Sequence, residues 1–99
     1  MTLVVDPAGN EIRALQNAVE WKRKRVLEIG CGEGRLTLRL ATFHPAHIEA
    51  IDPDGARVRL ARNNRPVRYG KRITYHVGHA GKLRYARDQF DIVIFSWAL

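Results

Sequence analysis

The sequence predicts an α/β domain, a mostly parallel sheet of about four strands with flanking helices, and three observations carry that prediction. A short apolar run with β-branched residues, Val26 to Ile29, gives way at once to Gly30-Cys-Gly-Glu-Gly34, and Leu36, Leu40 and Phe43 then recur at helical spacing. A second short run, Ile48 to Ile51, follows at the distance of one strand–helix–strand crossover. Phe90 to Phe95 is almost continuously apolar after its acid, as in a strand buried on both faces. Strand, glycine turn and helix together open a nucleotide-binding βαβ unit. The glycines permit positive φ and let a ligand approach the main chain closely.

Ninety-nine residues make one small domain, 1–99, divided into an N-terminal helical segment, 1–24, and the strand–helix core, 25–99. Apolar residues at 45% are ordinary for a globular chain, and no apolar run approaches the ~20 residues that cross a bilayer. The first six residues are too short and too acidic for a signal peptide. A single cysteine, Cys31, has no internal disulfide partner. The expected setting is cytoplasmic, with no membrane.

In chain order, Thr2 to Asp6 reads as a short edge segment ended by Pro7-Ala-Gly9. Asn10 is placed to cap a helix striped by Ile12, Leu15 and Val19, with Trp21 at its core rim and the basic end Lys22 to Arg25 at its C-terminus. After the first strand, Phe43-His44-Pro45 stops the helix that follows it, because a residue before proline avoids helical ψ. The second strand ends at Asp52. Asp54 is the natural N-cap of the next helix, which runs to about Asn64 with Val58 and Ala61 inward. Ile73 to Val77 alternates as a third strand, Leu83 to Asp88 forms a turn or short helix, and Phe90 to Phe95 is the fourth strand.

The glycine turn fits two other nucleotide-binding loops poorly. A P-loop ends in Gly-Lys-Ser/Thr, whereas Gly34 is followed by Arg35-Leu36. A dinucleotide fingerprint needs a small residue where Arg35 stands. The pattern present is acidic-x-Gly-x-Gly-x-Gly, from Glu28 to Gly34. It resembles motif I of the class I S-adenosylmethionine-dependent methyltransferases. The Phe-Asp-Ile-Val run at 90–93, followed by Ser96, looks like their motif IV. The resemblance implies a Rossmann-like fold that binds S-adenosylmethionine or S-adenosylhomocysteine. Glu28 would take the ligand's ammonium group, directly or through water, and main-chain groups of Gly30, Cys31 and Gly32 would flank its amino-acid tail, with Gly34 closing the motif. Asp52, with Pro53 beside it, stands at the carboxyl end of the neighbouring parallel strand, where a carboxylate accepts two hydrogen bonds from a ribose diol. His79 and Ala80 would hold the adenine, His79 replacing the aspartate usual in that family. Ser96 would lie near the methionine part. Methyl transfer needs no protein nucleophile, so no catalytic residue is named.

The resemblance covers nearly all of this chain but about half of that fold, whose members continue with three more strands. The fourth strand is therefore expected at an edge, where pairing into a homodimer would shield it; a longer parent protein is the other reading. Lysine and arginine exceed the acids 17 to 10, for a net charge of +7, and seven of the cations lie between Arg57 and Arg72. That stretch is either a footprint for nucleic acid or a solvated surface. With only Tyr69 and Tyr75 as stacking candidates and no nucleic-acid motif around it, the solvated reading is favoured. His44-x-x-His47 and His76-x-x-His79 lack the further ligands of a metal site. The alternative to a methyltransferase is a cofactor-binding or basic nucleic-acid-binding module without methyl transfer, because the substrate half of the fold is absent.

Overall fold

The computed structural model describes residues 2–7, 12–79, 81 and 88–97. Five strands form one sheet: β1 (Thr2–Pro7), β2 (Arg25–Ile29), β3 (His47–Asp52), β4 (Ile73–Val77) and β5 (Ile92–Trp97). Helices α1 (Ile12–Ala18), α2 (Arg35–Ala41) and α3 (Gly55–Asn64) connect them, with a short 3-10 turn at Val67–Tyr69. The spatial order is β1-β5-β2-β3-β4, and every pairing is parallel.

This order corrects one expectation. The fourth strand of the sequence reading, now β5, is not an edge. It pairs with β2 on one side and with β1 on the other, from Thr2 opposite Ile92 to Pro7 opposite Trp97. The ladder groups on both its sides are therefore used, and no homodimer can form across it. Asp91 ties the junction together. Its N–H donates to the Arg25 carbonyl (2.8 Å), its carboxylate accepts from the Arg25 N–H (2.9 Å) and guanidinium, and its carbonyl accepts from Thr2 (2.7 Å).

The Arg25 N–H, and then its guanidinium, hold the Asp91 carboxyl below the usual carboxylate range. A depressed folded value stabilises above the unfolded value and is lost as pH falls through the folded one. Asp91→Asn should therefore flatten the acid limb of the pH–stability curve. Because the pair is well exposed, the change at neutral pH should be under about 1 kcal/mol. Urea denaturation across acidic pH checks both.

The core lies mainly between the sheet and the three helices. Val26, Ile48, Ala50, Ile73, Ile92 and Ile94 face Leu15, Leu40, Val58 and Ala61. Trp21 is buried there, donating its indole N–H to the Leu15 carbonyl (2.8 Å) and packing on Phe43 (5.6 Å between rings), so it is a core residue. The other sheet face carries Leu27, Ile29, Phe90 and Val93. Ile92, Val93 and Ile94 are all buried, as their apolar run predicts.

Boundaries follow local chemistry. The Asp54 carboxylate accepts from the N–H groups of Ala56 and Arg57, the expected cap of α3, and α3 ends at Asn64. α1 stops at Ala18, earlier than expected. The basic run is not its C-terminus: Lys24 closes a turn on the Trp21 carbonyl and Arg25 already starts β2. Asn10 and most of Leu83 to Asp88 lie outside the described residues.

Candidate functional site

The site is built where β2, β3 and β5 end together. Gly30, Gly32 and Gly34 have φ of 87°, 54° and 91°, so the bend reverses through conformations that side chains resist. The N–H groups of Gly30 and Cys31 both donate to the Ile51 carbonyl (2.8 and 3.0 Å), which seats the bend on β3. A Cβ placed on Gly34 would stand 2.6 Å from the Tyr75 hydroxyl, so this glycine is needed for packing as well as for its φ. A Cβ on Gly32 would meet nothing nearer than Arg57 Nη1 at 3.8 Å, so the main chain there faces open space.

Asp52 lies directly against this bend. Its Oδ2 accepts from the Gly32 N–H and its Oδ1 from the Asp54 N–H, both at 2.9 Å. A carboxylate offers about four acceptor positions. Two are spent on holding it still, and two remain, the number a vicinal diol brings. Pro53 is exposed beside it. Gly78 donates to the Asp52 carbonyl (3.1 Å), which places exposed His79 one residue beyond the same rim. Ala80 lies outside the described residues.

Beneath the bend runs a buried hydrogen-bond chain. Glu28, with no exposed surface, accepts from the Thr37 hydroxyl on one oxygen and the Ser96 hydroxyl on the other (2.5 Å each). The Ser96 hydroxyl also lies 3.5 Å from the Gly30 carbonyl. Thr37, Glu28 and Ser96 thus link α2, β2 and β5 under the glycines, with Tyr75 of β4 beside Thr37. Burial pushes the Tyr75 phenol up to about 12, so it stays protonated at neutral pH. Burial, with the carboxylates of Glu28 and Asp52 adding to it, also drives the Cys31 thiol well above its ordinary value. Cys31 is therefore an unreactive small residue fitted to the turn.

Glu28, Gly30, Cys31, Gly32, Gly34, Asp52 and Ser96 are thus brought together, with Pro53 and His79 at the rim. Thr37 and Tyr75 were missed. Their one signal was polarity on otherwise apolar faces, at the third position of α2 and the middle of β4. The histidine pairs do not converge on a metal: His47 meets Thr74 (3.0 Å), His76 meets Glu49 (2.9 Å), and no group of three or more metal-binding side chains occurs among the described residues.

A parallel sheet with a glycine bend at one strand end and a carboxylate at the next defines a Rossmann-like fold. Its family is narrower. A family model described as a methyltransferase domain matches residues 26–99, and the chain belongs to that family. It is 32% identical over 78 residues to malonyl-(acyl-carrier protein) O-methyltransferase of Bacillus cereus, covering 74% of this chain and 28% of that protein. Against protein arginine N-methyltransferase 1 of Chlamydomonas reinhardtii the identity is 30% over 83 residues, covering 84% and 24%. Among solved structures, an S-adenosylmethionine-dependent methyltransferase from Mesorhizobium loti superposes with a TM-score of 0.72 at 25% identity, over 88% of this chain and 37% of that one. A Haemonchus contortus phosphoethanolamine N-methyltransferase, solved with phosphoethanolamine and S-adenosylhomocysteine, gives 0.71 at 25% identity, over 88% and 18%. The chain spans about a quarter of the length of these two curated relatives.

Proposed function

We propose that this domain binds S-adenosylmethionine and forms the cofactor-binding part of a methyltransferase. The observation that carries the reading is the Asp52 carboxylate, fixed by the Gly32 and Asp54 N–H groups with two acceptor positions left. Those positions suit the ribose hydroxyls. The open main chain at Gly32 leaves room for the amino-acid tail, flanked also by Gly30 and Cys31. Glu28, having no exposed surface, acts through Ser96, holding the hydroxyl beside the Gly30 carbonyl where the tail's ammonium would sit. His79 and Ala80 take the adenine side, and a neutral His79 ring nitrogen accepts from the adenine amino group.

S-adenosylmethionine supplies an activated methyl group on a sulfonium centre. This chain's residues bind and orient the donor, and alignment with the acceptor supplies the rate. A reducing, cytoplasmic setting fits the lone, buried Cys31. Among the described residues, no helix is long and apolar enough to cross a membrane. Calorimetric titration with S-adenosylhomocysteine should give saturable one-to-one binding that ATP and NAD do not compete away. Failure of a folded sample to bind at millimolar ligand would remove the proposal.

A further inference from the structure

β4 is one rim of the sheet, and a rim presents unpaired main-chain groups. Its direction of pairing is set by two bonds to β3: Ile48 donates to the Arg72 carbonyl (2.7 Å) and Gly78 to the Asp52 carbonyl (3.1 Å). Residues 72, 74, 76 and 78 therefore face β3, and the carbonyls of Ile73 and Tyr75 point outward. Both are covered by guanidinium groups. Arg62 donates to the Tyr75 carbonyl through Nε (3.1 Å) and Nη2 (2.7 Å), and Arg65 donates to the Ile73 carbonyl through Nη1 (2.7 Å).

Two consequences follow. The outward carbonyls are closed to an incoming strand, and the rim becomes cationic, with two charges held about 7 Å apart by the strand's own rise. Each guanidinium has five N–H donors; Arg62 spends two here and Arg65 one. The surrounding segment, 55–72, contains six arginines and one lysine and no acid. Of the seven cations only Arg57 has an acidic partner, Asp54 at 3.7 Å, among the described residues. Arg59, Lys71 and Arg72 are exposed, Arg68 lies over the Tyr69 ring (4.8 Å to its centre), and Val67 is 96% exposed beside them.

We propose that this rim, from α3 across β4, binds the sugar–phosphate backbone of single-stranded nucleic acid. Planar guanidinium forks match phosphate oxygens, and holding them on main-chain carbonyls removes part of the ordering cost of binding. The regular spacing suits a polymer with evenly placed charges, and the exposed face of Arg68 offers a base a surface to stack on. The inference does not depend on the ligand at the glycine bend.

The test is anisotropy of a short labelled single-stranded RNA titrated with the whole chain over a range of salt. Affinity should fall with salt, with a log–log slope of about −0.7 for each phosphate neutralised. The triple variant Arg59→Gln, Lys71→Gln, Arg72→Gln removes cations that make no side-chain bond among the described residues, so its melting temperature should not change. It should bind about tenfold more weakly at low salt, with a slope shallower by roughly 2. Absence of wild-type binding at low salt, or unaltered binding by the triple variant, would overturn the proposal. Equal affinity for polyglutamate or for phosphatidylserine vesicles would also overturn it, since the rim would then recognise charge without the phosphate polymer.

Discussion

Asp52→Ala is expected to weaken S-adenosylhomocysteine binding by about two orders of magnitude or more. Two hydrogen bonds from ligand hydroxyls to a carboxylate are worth roughly 1.5–3 kcal/mol each, and the alanine removes both. It also frees the Gly32 N–H, which Oδ2 now holds at 2.9 Å, so the bend loses the contact that aims it. Asp52→Asn separates the two effects. Its amide oxygen still serves one N–H group, while its NH2 side cannot accept. Asparagine should therefore restore much of the melting temperature and little of the affinity. Calorimetry beside thermal melting reads both, and a ligand affinity unchanged in the alanine variant would contradict the ribose role.

Gly34→Ala should be the most damaging single change to stability. The new Cβ would stand 2.6 Å from the Tyr75 hydroxyl, 3.2 Å from its ring and 3.4 Å from the Ala61 Cβ, at a φ of +91°. Left-handed backbone costs a residue with a side chain about 1–2 kcal/mol, and overpacking adds about 1–3. Against a total of about 5–15 kcal/mol, that removes much of the margin of so small a domain. Tyr75 cannot simply move, because its side chain is fully buried in the core. Gly32→Ala supplies the contrast: with nothing nearer than 3.8 Å, it should cost only about 1–2 kcal/mol, for its φ of +54°. Urea denaturation of the two variants should show that order, and equal losses would contradict the packing argument.

Much of this architecture can be read from local pattern. The apolar runs at 26–29, 48–51 and 73–77 lie in strands, the run at 90–95 enters β5 at Ile92, and Asp54 caps the helix that ends at Asn64, because periodicity and capping are properties of neighbouring residues. The glycine bend and Asp52 meet because one crossover brings consecutive parallel strands side by side. What local pattern does not contain is pairing across the whole chain. Thr2 to Asp6 reads as a short edge segment, yet nothing within it names β5 as its partner, so the sequence places β5 itself at an edge. Thr37 and Tyr75 were hidden for a related reason. Each sits in a position where an apolar residue would satisfy the pattern, and only the fold shows that Glu28 supplies an acceptor between α2 and β5. Arg62 and Arg65 look like solvated surface residues until the sheet order makes β4 a rim.

The central claim is that the bend at 30–34 and the carboxylate at 52 grip one adenosyl amino acid together. Amide NMR shifts followed during titration with S-adenosylhomocysteine test it most directly. Saturable shifts should concentrate at Gly30, Gly32, Asp52, Asp54, Gly78, His79 and Ser96, and leave Arg62, Arg65 and Ile73 unmoved. Shifts gathered on the α3–β4 rim, or none at saturating ligand, would contradict the account.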